Sequence, residues 1–482
     1  MSIKHGVYIH EESTAISAPI TTSSSVQVVI GTAPVNMAAD PAAAINKPIL
    51  ANSAQEAMEA LGYCTDFAHY TLCQSMYAMA NVYSVSPVVF INVLDPATHK
   101  AAVTETACEV TDKQATLKVF GMIPDSVVVK DGTDTLVKNT DYTLGFDDDG
   151  YLTVTLIAGG EHASAASLKV SGNKVDPSAV TYADIIGAYN ISTGAETGME
   201  VVRQVYPKLG LVPGLLLAPG FSQVPAVGIA LMAKAANING CFKAMAIVDL
   251  DTTQAVKYTD CKTVKENSGF TSEFCIPVWP SVKIGDYIFA ASAVVGALIA
   301  YTDASNEDIP SLYPSNKRMA ITGTCLANGT EVTLDQDQAN TVNSYGVATA
   351  INMNGWKFWG NYTGAYPSST DAKDIWIGVR RIFNWQGNNF ILSYFNRVDD
   401  PMNFILIESV VDSENIRCNA YVPTAWADAR IEYLASDNPE TDILAGKITF
   451  RQYIAPYTPA QEIDNILSYD IDALRTALVG GE

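Results

Sequence analysis

A multidomain chain combining α/β and α+β architecture, with an all-β module inserted into the α/β part, is predicted by three features of this sequence. Its 482 residues exceed the roughly 250–300 at which a single hydrophobic core stops growing. Strand-like apolar runs alternate with helical patterns before about residue 105 and after about 178, the signature of an α/β body. Between those points only short strands and turn signals occur, which predicts a β-sandwich-like insertion.

The chain opens with Gly6-Val7-Tyr8-Ile9-His10-Glu11, a β-branched and aromatic run that favours an extended pleat. A spacer rich in Ser, Thr and Pro, Ser13 to Ser25, separates it from the next apolar run. A lone strand on such a tether has unpaired backbone donors and acceptors, so residues 1–25 read as an arm that pairs outside its own sheet.

Residues 26–104 form the first part of the α/β body. Val26 to Ile30 is a buried strand ended by Gly31-Thr32-Ala33-Pro34. Ser53-Ala54-Gln55-Glu56 has the capping-box form and opens a helix to Leu61, which Gly62 stops. Phe67 to Ala80 is a second helix and Val88 to Val93 a strand of the fully buried type. The insertion, 105–178, contains strands at Ala115–Val119, Val127–Lys130, Tyr142–Phe146, Tyr151–Ile157 and Leu168–Val170. Its Asp147-Asp148-Asp149-Gly150 run lacks the ligand spacing of a calcium loop, because Gly145 stands where the first Asp belongs, and reads as a hairpin turn.

The body resumes over 179–354 with helices at Ile185–Asn190, Gly198–Tyr206 and Val224–Ala236, and strands at Gly214–Gly220 and Ala244–Asp249 in a parallel crossover. Tyr287 to Tyr301 is a buried helix, too short at about 15 residues to span a bilayer. The final α+β part, 355–482, is expected to contain strands at Phe390–Phe395, Phe404–Ile407 and Lys447–Ile454, with Ile448, Phe450, Gln452 and Ile454 on one face. A long closing helix is expected from Thr458-Pro459-Ala460-Gln461, with Ile463, Ile466, Leu467, Ile471, Leu474 and Leu478 in one stripe.

Composition excludes several functions. Fifty-one acidic against 29 basic residues give a net charge of -22, a field that repels nucleic-acid backbones. The eight cysteines never approach a CxxC spacing, so neither structural zinc nor another cofactor is expected, and no signal-peptide core follows Met1. Cytoplasmic folding with free thiols and no membrane insertion are the resulting expectations. The five histidines lie in the arm, the first α/β stretch and the insertion, and neither Gly-x-Ser-x-Gly nor a Walker loop occurs. The most enzyme-like place is Asp249-Leu250-Asp251, after a strand where open α/β sheets hold ligands. The simpler reading is that Asp249 to Thr252 caps the next helix. A soluble hydrolase-like enzyme with a β-sandwich binding module is the alternative that this spot keeps open.

Five segments in order resemble the tail sheath proteins of contractile phages and contractile bacteriocins. Gly6-Val7-Tyr8-Ile9-His10-Glu11-Glu12 is similar to the family's Pro-Gly-Val-Tyr-Val-Glu-Glu opening, and Val26–Gly31 to its first core strand. Gly355-Trp356-Lys357-Phe358-Trp359-Gly360-Asn361-Tyr362-Thr363 resembles its Gly, Trp-Gly, Asn-Arg-Thr segment. Trp376-Ile377-Gly378-Val379-Arg380-Arg381-Ile382 resembles its Val-Arg-Arg helix, and Leu444–Phe450 its last strand. His5 stands where the family often has proline, and Tyr362 where it often has arginine.

The resemblance implies a structural, non-enzymatic subunit of the virion tail, assembled in the host cytoplasm as stacked hexameric rings around an inner tail tube. It implies baseplate and tail terminator partners, contraction that drives the tube through the target envelope, and arms that join neighbours by strand addition. Arg380 and Arg381 are then candidates for intersubunit ion pairs, or form a solvated helix face. Trp356, Phe358 and Trp359 are expected in the core.

Overall fold

The computed structural model describes residues 23–147 and 149–479. The arm residues Gly6 to Glu11 therefore lie outside the described residues.

The chain starts with β1 (Gln27–Gly31), β2 (Pro48–Ala51), helices α1 (Ala54–Leu61) and α2 (Leu72–Tyr77), and β3 (Val88–Asn92). Ser53 caps α1 by accepting from the Glu56 amide, as its sequence predicts, while Glu56 reaches back to the amide of Asn52. The second helix starts five residues later than expected and widens into a π-helical turn, Ala78–Val82.

The insertion then begins with β4 (Lys100–Glu109), so the boundary expected at 105 falls inside a strand. It continues with β5 (Gln114–Phe120), β6 (Val128–Asp131), β7 (Asp134–Thr135), β8 (Tyr142–Phe146), β9 (Tyr151–Leu156) and β10 (Ser167–Val175). Two antiparallel sheets, β4-β10-β6-β7 and β5-β9-β8, enclose a separate core containing Leu117, Val129, Leu152, Val154, Leu168 and Val170. Asp147 closes the β8–β9 hairpin, its carboxylate accepting from the amides of Asp149 and Tyr151.

Past α3 (Tyr182–Ile186), which Gly187 ends sooner than expected, a 3-10 segment leads into α4 (Val205–Leu209). The body is completed by β11 (Leu215–Leu217), α5 (Pro225–Ala236), β12 (Met245–Asp249), α6 (Cys261–Ser268) and β13 (Cys275–Val278). Six strands make one sheet in the order β13-β12-β11-β1-β3-β2, parallel except for the edge strand β2. Every residue of β1, β3, β11, β12 and β13 is buried, which is why these strands read as continuous apolar runs.

A small antiparallel sheet, β14 (Ser281–Ile284), β15 (Tyr287–Phe289) and β16 (Gly323–Cys325), frames α7 (Ala291–Ala304), the buried helix lying on the central sheet. Tyr287 to Phe289 is thus strand, and the helix begins after it. Gly296 lets α7 approach closely: a Cβ there would stand 2.6 Å from Leu217 and 2.8 Å from Gln27. After α8 (Gln336–Ser344) comes the hairpin β17 (Thr349–Asn352) and β18 (Trp356–Trp359), which the expected boundary at 355 divides. Within β18 only Phe358 is fully buried, with Trp356 and Trp359 half-buried.

The remainder comprises α9 (Ala372–Ile375), α10 (Ile377–Tyr394), α11 (Phe404–Ala420), β19 (Trp426–Glu432), α12 (Glu440–Leu444), β20 (Arg451–Pro456) and α13 (Ile471–Val479). The strands expected at Phe390–Phe395 and Phe404–Ile407 are helices: Phe390 to Tyr394 end α10, and Phe404 begins α11 behind an Asn403 cap. A third core, with Ile309, Ile382, Trp385, Cys418, Ala425, Trp426 and Ala429, lies at this end.

Candidate assembly surface

The arginines of α10 are inside the chain. Arg381 is 3% exposed and forms a bidentate pair with Asp303, itself fully buried at the end of α7. Arg380 donates to Asp374 at 3.0 Å and to the Lys373 carbonyl at 3.2 Å, and its guanidinium lies 5.4 Å from the Phe274 ring centre. Burial lowers the Arg380 pKa, with Asp374 opposing. Both charges are thus satisfied within the chain, which corrects the solvated-face reading and leaves neither guanidinium free for a neighbour.

Beside them α10, α11 and β20 share a buried polar network. The Glu414 carboxylate accepts from Gln386 Nε2, Gln452 Nε2, Tyr394 Oη and the Arg417 guanidinium. Burial pushes this carboxyl up, but the bond and charge of Arg417, then Gln452 and Gln386, outweigh it and hold Glu414 below its ordinary value. Gln452 thereby fixes β20 to the helices.

Strands β19 and β20 form a two-stranded ribbon in the register Ala429↔Ile454, Ile431↔Gln452 and Glu432↔Arg451, with an irregularity after Trp426. No third strand flanks either one among the described residues. Isolated two-stranded ribbons are marginal in water; this one is held by the buried side chains of Trp426, Ala429 and Ile431. The last strand starts at Arg451 rather than Lys447, so Ile448 and Phe450 precede it and only Ile454 lies within it. Ile448 and Phe450 instead line an apolar groove of about 710 Å³ with Phe390, Tyr394, Leu406 and Val410.

Beyond the ribbon, 457–470 has no regular structure, and helix begins only at Ile471. The capping box expected at Thr458 is not formed; Asp470 accepts from the amides of Asp472 and Ala473 instead. The apolar stripe has no surface to bury it, so nothing offsets the cost of nucleating helix earlier. Ile463 is 85%, Ile466 89%, Leu467 89% and Leu478 77% exposed. Contiguous apolar exposure of this kind marks an interaction surface. The tail is tied back at its start, where Tyr313 Oη donates to the Tyr457 carbonyl and Gln461 Nε2 donates to Tyr362 Oη, each at 3.0 Å. Tyr362, at the position where an arginine was compared, stacks on Tyr366 at 3.8 Å and Trp376 at 4.7 Å.

The enzyme-like spot proves to be a structural knot. Asp249 is 8% exposed and accepts from Ser222 Oγ, Ser292 Oγ and the Ser292 amide, joining β12 to the start of α7. It caps α7 rather than the next helix. Burial raises its carboxyl, partly offset by the serine bonds. Asp251 folds a local turn by accepting from Thr253 and Gln254. Among the described residues no cluster of His, Cys, Asp or Glu could hold a metal ion, and no helix is long and apolar enough to cross a membrane.

No family model matches the chain. Over 426 residues it is 27% identical to the tail sheath protein of Burkholderia phage BcepMu, covering 85% of each chain. It is 23% identical over 304 residues to the tail sheath protein of Escherichia phage P2, covering 60% of this chain and 70% of that one. The sheath of an extracellular contractile injection system in its contracted state shares the fold, with a TM-score of 0.58 at 12% identity over 98% of this chain and 99% of that chain.

Proposed function

We propose that this chain, a homologue of phage tail sheath proteins, is the subunit of a contractile tail sheath: it polymerises as stacked six-membered rings around an inner tube and shortens to drive that tube through a cell envelope. The observation that carries the reading is the carboxyl-terminal end, where an unpaired ribbon edge and a bare apolar tail stand side by side among the described residues. A strand supplied by a neighbour's residues 6–11 would complete the ribbon. About four backbone bonds would contribute ~2–6 kcal/mol, before the ordering of the arm is deducted.

In this reading residues 26–99 and 179–354 form the rigid body, the β4–β10 module decorates it, and the carboxyl-terminal part with both arms makes the lattice. Rings rotate against each other while the linkages hold, so contraction runs downhill without nucleotide hydrolysis. The baseplate, the tube and a terminator are the other partners, and the site of action is the virion tail. The role is structural rather than catalytic.

Electron microscopy of purified protein tests this. Striated or hollow tubes are expected; compact particles that never polymerise would overturn it. Deleting residues 2–12 is expected to leave soluble protein that makes no long tubes.

A further inference from the structure

The first described residues after the arm have two anchors: the Val26 carbonyl accepts from the amides of Gly214 and Leu215 at the head of β11, and Ser24 reaches the end of α7. Ser24 Oγ donates to Asp303 Oδ2 at 2.5 Å, and the Ser24 amide donates to the Asp308 carbonyl at 3.4 Å, both upstream of β1. Asp303 is the residue that holds Arg381 of α10. An acid in the last turn of a helix opposes the macrodipole, so its place there is explained by these partners and not by helix stability.

The turn that follows is strained. Glu307 and Asp308 both adopt left-handed backbone, at φ 56° and 59°, a conformation that side-chain-bearing residues take at a cost. Its shape is kept by the amides of Asn306 and Asp308 donating to the Asp303 carbonyl, and by Asn306 Nδ2 donating to the Ile309 carbonyl. Ile309 in turn packs in the third core with Ile382 and Trp385 of α10. Two routes therefore run from the root of the arm into α10: a buried ion pair and an apolar contact.

We propose that Ser24 is a positioning residue that couples the arm to the carboxyl-terminal core: pull on the arm is delivered through its hydroxyl and the 303–309 turn to Arg381 and Ile309, beside the anchorage of Val26 on the central sheet. This rests on the sheath reading for its purpose, but not for its test. A neighbour that takes the arm then acts on the part of the molecule that carries the acceptor ribbon.

Hydrogen exchange on the full-length chain before assembly decides it, with Ser24→Ala and Ser24→Thr against wild type. Ser24→Ala is expected to speed exchange about fivefold both at 24–27 and at 377–386, the scale of one lost hydrogen bond, with β11 and β12 unchanged. Ser24→Thr, which keeps the hydroxyl, restores protection. Faster exchange confined to 24–27, or equal exchange in both variants, overturns the coupling. Should the wild type form no tubes, the sheath reading falls while this exchange result still stands.

Discussion

Gln452 of β20 donates its side-chain amide to Glu414 of α11 at 2.9 Å and to Cys418 Sγ at 3.3 Å, so the last strand of the ribbon is tied to the helical core by a part-buried polar contact beside the packing of Ile454. Removing the carboxylate leaves Arg417, 3% exposed, without its counter-charge. Glu414→Ala is expected to destabilise the chain by about 3–5 kcal/mol, and Gln452→Leu by about 1–3 kcal/mol. Denaturant unfolding of the two variants measures both.

The same carboxylate sets an acid limit. Glu414 is held below its ordinary pKa, so its contribution is fully present above the unfolded-state value of about 4.3 and is lost as pH falls through the folded-state value. Stability curves of wild type and Glu414→Gln are expected to differ at neutral pH and to converge only once pH has fallen through the lowered folded-state value.

Lys265 works in the opposite direction. It is 3% exposed, donates Nζ to the carbonyls of Tyr345 and Tyr366, and burial pulls its pKa down to about 8. The fold therefore disfavours its charge: the penalty is full below about 8 and is relieved as pH rises toward the unfolded value of about 10.4. Wild type is expected to gain stability relative to Lys265→Met across that window. A constant difference in melting temperature from pH 7 to 10 would contradict it.

Charging the bare stripe separates folding from assembly. Ile466→Glu with Leu467→Glu alters two side chains that are each 89% exposed. Unfolding of the isolated chain is expected to move by no more than about 0.5 kcal/mol per site, while tube formation, followed by light scattering and microscopy, is lost.

The insertion enters and leaves through β4 and β10, which pair antiparallel from Lys100↔Val175 to Glu109↔Ser167. Replacing residues 101–174 by a short Gly-Ser turn is expected to leave a chain that folds cooperatively but less stably, since the module has its own buried cluster and gives the main core only the partly buried Phe120 and Ile123. Circular dichroism melting checks this.

How far the sequence could be read depended on what each element buries. Strands β1, β3 and β12 announce themselves because every position is apolar or nearly so and both faces are covered. Helices α10 and α11 were misread at Phe390–Phe395 and Phe404–Ile407 because their inward positions include Arg381, Asn384, Gln386, Asn388, Glu414 and Arg417, which erase the apolar 3.6-residue period. Aromatic and β-branched neighbours then look like strand. The stripe of the closing segment was legible as a pattern, but its helix forms only in part because no surface covers it. Arg381 was singled out for the right charge and the wrong partner. The signal that could have found its mate is Asp303, a lone acid late in an apolar helix.

In the proposed sheath, the donors of this molecule are its termini and the acceptor is its ribbon, so giver and receiver are different surfaces. Contacts of that kind cannot close into a symmetric pair, and copies add head to tail in a polymer with a direction. In this reading its two ends are chemically unlike, one presenting acceptor ribbons and the other donor arms. Starting and stopping such a polymer therefore require two different capping proteins.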